Sequence, residues 1–157
     1  MKLCGMILIF ISAVIFSYSK SKRVEERILL IEELCGFMRQ ARIDISCYLR
    51  PVGQIRSDSP RLSSLGFFSD MERYGAKEAY ARLEGKVFLS EKEREILRRF
   101  FSSLGKGYAE DEIKLIDASL FEISEILKKQ KEEAPKQKKL IFTLSSAASL
   151  ALIILLL

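Results

Sequence analysis

Glu91, Glu93 and Glu95 are the residues whose type and spacing come nearest to an acid–base set. Paired carboxylates can move protons when their surroundings push their pKa values apart. These three open a helix behind Ser90, where negative charge suits the helix dipole. Ser90 and Glu93 also have the spacing of a capping box, the hydroxyl accepting from the Glu93 amide and the carboxylate reaching back. A capped helix start accounts for them without catalysis. The cysteines, Cys4, Cys35 and Cys47, stand too far apart for a disulfide framework or a zinc cluster. Cys4 reads as lipid-facing, since no apolar region precedes it as a lipoprotein site would need. Cys35 and Cys47 read as small apolar packing residues on a helix. The chain has no His, which removes Ser-His-Asp and Cys-His catalysis and every His-ligated metal centre. It has no Gly-rich phosphate loop and no dinucleotide fingerprint. The expectation is a non-catalytic protein without metal or cofactor.

The other chemistry on offer is cationic. Lys128, Lys129 and Lys131 read as a solvated helix end. Lys136, Lys138 and Lys139 stand beside an apolar run and are assigned to the membrane surface, where each cation is worth about 1 kcal/mol against anionic headgroups. Nucleic acid is a poor partner: 26 Lys plus Arg against 21 Asp plus Glu leave a net charge of only +5, with the signs mixed along the helices. Arg39, Arg42 and Asp44 fall opposite the apolar stripe of the first helix, a solvated face by default and a docking surface as the sharper alternative.

The elements that carry these residues lie between charge-free ends. Apart from Lys2, every charged residue lies between Lys20 and Lys139. The runs Leu3 to Tyr18 and Leu140 to Leu157 carry no charge. A spanning helix needs about 17 to 25 largely apolar residues; the second run meets that length and the first is short but workable with its flanks. The expected organisation is a transmembrane helix over 1–19, a cytosolic helical bundle over 20–139 and a transmembrane helix over 140–157. Ser17 and Ser19 would suit signal cleavage, but the first region holds only Lys2 and Lys20 follows at once, so retention is favoured. Lys20, Lys22, Arg23 and Arg27 follow the first run, and Lys136, Lys138 and Lys139 precede the second. Both biases place the middle region in the cytoplasm, where its cysteines stay reduced. Ser145 and Ser149, in a cluster of small residues, could mark a packing face in lipid.

Within the middle region, 3 Pro and 8 Gly leave little room for long loops. Leu30, Leu34, Phe37, Met38, Ala41, Ile45, Tyr48 and Leu49 step by three and four, one face of a long helix continuous with the first apolar run. Pro51 and Gly53 should end it. Ser59 and Pro60 start a second helix with Leu62, Leu65, Phe68 and Met71 as its apolar face. After Gly75 come Ala76, Ala79, Tyr80 and Leu83, a short helix stopping at Gly85. The helix capped at Ser90 carries Ile96, Leu97, Phe100, Phe101 and Leu104 and closes at Gly105. The last helix is acidic at Glu110, Asp111 and Glu112 and seamed by Ile113, Ile116, Leu120, Ile123 and Leu127. Pro135 should kink or end it. The first helix, about 20–50, is expected to pack against the last, about 110–133. Lys86–Leu89 is the only β-like stretch, too short for a sheet. The fold class is all-α, a helical bundle flanked by two transmembrane helices.

A Lys/Arg-rich first helix ending at Arg50-Pro51-Val52, the Leu104-Gly105-Lys106 junction, a long Lys/Glu-rich helix and a Leu-rich terminal run together resemble the stage III sporulation protein AB family over essentially the whole chain. Tyr80 stands where that family tends to carry Trp, and Gly107-Tyr108 where it tends to carry an acidic residue. The resemblance implies a component of the channel-like complex between mother cell and forespore, in the cell membrane on the mother-cell side. It implies a soluble domain similar to the cytoplasmic domains of the type II secretion inner-membrane platform protein. The implied partners are the stage III AA secretion-type ATPase, the other stage III A membrane proteins and the lipid bilayer.

A platform needs two anchors, a stiff helical domain and no active site, and the residues supply each. The alternative is a two-span protein with an extracytoplasmic helical sensor or ligand-binding domain. It needs the middle region outside and an output domain after the second span, against the charge bias and a sequence that stops at Leu157. A membrane-bound enzyme would need a site that no motif assembles. Docking residues are expected where the long helices turn: Arg50, Gln54 and Arg56 in one loop, Lys106 and Tyr108 in the other. A homo-oligomer is compatible with this layout.

Overall fold

The structure, a computed structural model, describes the backbone of residues 2–48 and 52–156 and, within these, the side chains of 11, 12, 15, 16, 18–47, 52–148 and 151. Among the described residues six α-helices follow in order: α1 (Lys2–Ile43), α2 (Pro60–Ser64), α3 (Phe67–Tyr74), α4 (Ala76–Glu84), α5 (Glu91–Ser103) and α6 (Ala109–Leu156). No strand occurs among the described residues, Lys86–Leu89 included. The chain forms two compact units, a core unit of Arg27–Lys129 and a terminal unit of Met1–Glu26 with Gln130–Leu157.

In the core unit the expected stripe of α1 is buried from Leu30 to Ile45, with Leu34, Phe37, Met38 and Ala41 shut off from solvent, while the Tyr48 and Leu49 side chains lie outside those described. The stripe is wider than three-four spacing indicated, because Ile28, Ile31 and Cys35 are buried too. Phe37 stands edge-on to Phe67 at 5.5 Å and stacks on Phe101 at 5.8 Å. Phe101 in turn stacks on Tyr80 at 4.9 Å. Such ring pairs add about 0.5–1.5 kcal/mol each beyond the area they bury. The cluster joins α1, α3, α4 and α5 into one core.

The expected single helix over residues 60–74 is two. Gly66 adopts φ +78, a left-handed conformation that an L side chain resists, and it separates α2 from α3. The break resets the register, so Phe67 is buried beside Phe68 and Met71, while Leu65 is only half-buried. Ser59 precedes α2 and Pro60 opens it, but the Ser59 side chain caps nothing and shares a 2.7 Å hydrogen bond with the Ser57 hydroxyl. Glu33 of α1 takes the capping role. Its Oε2 accepts from the backbone N–H groups of Arg61 (2.9 Å) and Leu62 (3.0 Å), satisfying donors that a helix start leaves open.

The α5 capping box forms as expected: Ser90 Oγ accepts from the Glu93 amide at 3.4 Å, and Glu93 Oε2 accepts from the Ser90 amide at 2.7 Å. Glu93 is also fully buried and receives a bidentate guanidinium, from Arg27 Nε at 3.0 Å and Nη2 at 2.7 Å. Thus α1 braces both short-range helix starts, with a carboxylate at α2 and an arginine at α5.

The α6 seam is buried at Ile116, Ile123 and Leu127 and half-buried at Ile113 and Leu120. Arg42 of α1 grips Asp117 of α6 (2.5 and 3.2 Å), and Arg99 of α5 bonds to Glu122 of α6 (2.6 Å). The first and last helices thus meet at the Arg42–Asp117 pair. Three details differ from expectation. α-Helical bonding stops at Ile43 and Asp44–Tyr48 continues as a π-turn; Leu49 and Pro51 lie outside the described residues. Asp44 is not on a solvated face but 1% exposed, accepting from Gln40 Nε2 at 3.1 Å. α6 runs through Pro135 rather than ending there. Pro135 is exposed, so the one carbonyl it deprives of a partner can face water.

In the terminal unit Lys138 bonds to Glu25, tying α6 to α1, and Lys20 lies over the Phe16 ring at 5.2 Å. Ile15, Phe16, Tyr18, Leu140, Phe142 and Leu144 are all exposed. Among the described residues no helix is long and apolar enough to cross a membrane. Much of the Leu3–Tyr18 run and of the Leu-rich end, with Cys4 and Ser149, lies outside the described side chains.

Candidate docking site

Three turns converge at the end of the core unit where α1 stops and α6 begins. The first is the 3₁₀ turn Val52–Gln54, closed by the Ile55 amide on the Val52 carbonyl at 3.2 Å. The second is the Gly75 junction between α3 and α4. The third follows α5 at Gly105, whose φ of +81 is left-handed. A Cβ on Gly105 would meet Val52 Cγ2 at 2.9 Å, so the first and third turns touch and leave no room for a side chain there. Together they line a cleft of about 570 Å³ with Ile45, Val52, Gly53, Gly75, Ala76, Leu104, Gly105, Gly107, Ala109 and Glu112.

The loops expected to dock a partner are therefore neighbours in space. Gln54, Lys106 and Tyr108 are exposed, Tyr108 at 84%. Arg56 is exposed but braces its own loop, donating to the carbonyls of Gly53 (2.8 Å) and Ile55 (3.1 Å) and to Glu72 (3.1 Å). Arg50 lies outside the described residues. Sequence reasoning read Gly75 as a break between helices but placed neither it nor Glu112 at this site. Glu112 is 8% exposed and its Oε1 accepts from the Gly107 amide at 3.0 Å. Its place in an acidic first turn had a sufficient explanation in the helix dipole, so nothing in the pattern distinguished it from Glu110 and Asp111.

The remaining candidates fall apart as sets. Glu93 is buried on Arg27, while Glu91 is exposed and pairs with Arg98 at 3.7 Å and Glu95 is exposed. Arg98 also grips Glu84 at 3.0 and 2.5 Å, and that hydrogen bond raises its pKa. The Asp117 bond does the same for Arg42. Burial, then the charge of Glu84, pushes up the Tyr80 phenol; its ring is 2% exposed and its hydroxyl has no hydrogen-bond partner. Cys35 is buried as expected, but Cys47 is exposed rather than packed, on the opposite side of the π-turn from the buried Ile45. No group of three or more His, Cys, Asp or Glu side chains able to hold a metal occurs among the described residues. Of the membrane-surface lysines, Lys136 and Lys139 are exposed and Lys138 is engaged with Glu25.

The family model described as stage III sporulation protein AB matches residues 70–157, more than half the chain. The chain belongs to that family. Membership gives it a stage III sporulation role. The matched stretch takes in α4, α5, the Gly105–Tyr108 turn and α6, so two of the three turns at the cleft fall within the stage III AB match. No curated protein and no solved structure matches the chain.

Proposed function

We propose that this stage III AB family member is a non-catalytic membrane platform whose core unit docks a secretion-type ATPase at the three-turn end. The observation that carries the reading is the convergence of the Val52–Gln54 and Gly105–Tyr108 turns, both expected from sequence to meet a partner. That end is formed by the terminus of α1 and the start of α6, remote along both helices from Arg27 and Lys129, where the chain passes to the terminal unit. The exposed apolar side chains of the terminal unit support membrane insertion of both charge-free runs. The flanking cations support a cytoplasmic core unit on the mother-cell side, with Lys136, Lys138 and Lys139 at the headgroups. The other stage III A membrane proteins are the expected neighbours, and the chain has no turnover of its own.

Capture from sporulating cells with the full-length protein tests the partner. Recovery of the ATPase is expected, reduced by Lys106→Glu or Tyr108→Ala. Recovery of neither the ATPase nor another membrane component would overturn the platform reading, and nucleotide hydrolysis by the purified chain would overturn the non-enzyme reading. Topology is read with Ser64→Cys in a background lacking the three native cysteines. An impermeant reagent should label it only after lysis.

A further inference from the structure

Glu112 differs from the other shielded carboxylates of the core unit. Glu93 is buried on Arg27, Glu33 pairs with Arg61 at 3.4 Å, and Glu84 pairs with Arg98 at 2.5 Å. Glu112, 8% exposed, forms no ion pair among the described residues; the one hydrogen bond of its side chain there is the Gly107 amide on Oε1. Asp44 also lacks a cation, but it takes the Gln40 amide and does not line the cleft. Glu112 does line it. The start of α6 and the Gly107 amide hold the negative charge in place, since a helix N-terminus favours an anion. A carboxylate largely removed from water and facing an open volume attracts a cation more strongly than one in bulk solvent. Gly53, Gly75, Gly105 and Gly107 wall that volume without side chains, and neither Glu110 nor Asp111 lines it. Lys106 is next to Gly105 in sequence but does not line the cleft.

We propose that the cleft receives a basic side chain, arginine or lysine, presented by the docking protein, with Glu112 as its counter-ion. The inference deepens the docking reading and rests on it. It supplies a charge-selective contact at the centre of the three turns, where desolvated pairs fix register and discriminate between partners.

The test uses the full-length chain in lipid nanodiscs, reading the Gly105 and Gly107 amide resonances during titration with N-acetyl-arginine amide, N-acetyl-lysine amide and the neutral citrulline counterpart. At least one cationic probe should give a saturable shift in the millimolar range, with citrulline at least tenfold weaker. Glu112→Gln keeps a side-chain oxygen for the Gly107 amide, so its thermal midpoint should hold while affinity falls at least tenfold; Glu110→Gln should bind as the parent does. No saturable shift from either cation, or an equal response to citrulline, overturns the proposal without recourse to any variant. Binding retained by Glu112→Gln overturns it as well. If the ATPase is captured while the cleft ignores both cations, docking stands and this contact falls; a cation response without capture leaves the contact and removes the partner.

Discussion

The same two helices treat apolar side chains in opposite ways in the two units. Within Arg27–Lys129, α1 buries Ile31, Leu34 and Phe37 and α6 buries Ile116 and Ile123. Within the terminal unit, α1 exposes Ile15, Phe16 and Tyr18 and α6 exposes Leu140, Phe142 and Leu144. The change follows the sequence pattern. Between Lys20 and Lys139 apolar residues recur as a stripe with charges opposite, which demands a protein core. Beyond those residues the helices carry no charge apart from Lys2, the pattern on which the proposed membrane insertion rests. If the terminal unit inserts in the membrane as proposed, one covalent helix serves two surroundings, and its stability in each unit has a different source.

The largest expected effect separates those sources. Leu34→Asp places an unpaired charge at a position with no solvent exposure, and a loss above about 4 kcal/mol should unfold the core unit. Leu120→Asp should cost less, since Leu120 is half-buried. Leu144→Asp should leave the core unit's thermal midpoint unchanged and alter only detergent or lipid association. Circular dichroism melts of the three variants check this, and equal midpoints for Leu34→Asp and Leu144→Asp would erase the distinction between units.

Next comes the buried ion pair. Arg27→Met takes the bidentate guanidinium from Glu93, which is fully buried, and should cost about 3 kcal/mol. Glu93→Gln added to Arg27→Met should recover part of that loss, because the amide still accepts from the Ser90 backbone and no full charge is buried there. Denaturant midpoints of the single and double variants measure the recovery.

What could be read in the sequence was local. The Ser90–Glu93 box spans three residues and announces itself by type and spacing. Tyr80, Phe100 and Phe101 fall inside because helical periodicity dictates it. The Glu33 cap on Arg61 and the Arg27 clasp on Glu93 cross 28 and 66 residues, and no periodicity encodes such a meeting. Gly66 was hidden for a different reason: a single glycine in a periodic run is tolerated by many helices, and only its positive φ makes it a break. At the candidate site the two loops were legible as turns, whereas their contact at Val52 and Gly105 required the tertiary fold. Glu112 was legible as acidic and illegible as enclosed.

A smaller effect tests how completely the core unit excludes water. The Tyr80 phenol is pushed above its ordinary value of 10.0, chiefly by burial. Above pH 10 the unfolded chain gives up this proton and the folded chain keeps it, so the unfolded state binds fewer protons and stability falls as pH rises. The slope should reach roughly 1.4 kcal/mol per pH unit. Tyr80→Phe removes an unpartnered hydroxyl, so it should match or exceed the parent at neutral pH and lack this part of the alkaline loss. The difference between the two melts as a function of pH isolates Tyr80 from the lysines that titrate in the same range.

The smallest effect is expected at Arg42 and Asp117, although their geometry rivals that of Arg27 and Glu93. Both pairs are bidentate, and the shorter Arg42 contact is 2.5 Å. The difference is solvent: the Arg42 and Asp117 side chains are 45% and 49% exposed, against 31% and 0% for Arg27 and Glu93. Water and salt screen an exposed pair, and breaking it strands no charge, because each partner can be hydrated. Arg42→Ala and Asp117→Ala should therefore shift the thermal midpoint far less than Arg27→Met, and a double-mutant cycle should show a coupling that fades as salt is raised. A coupling at Arg42–Asp117 as large as that at Arg27–Glu93, and indifferent to salt, would mean that the α1–α6 contact is shielded as the core is, and that bond geometry rather than burial sets the strength of these pairs.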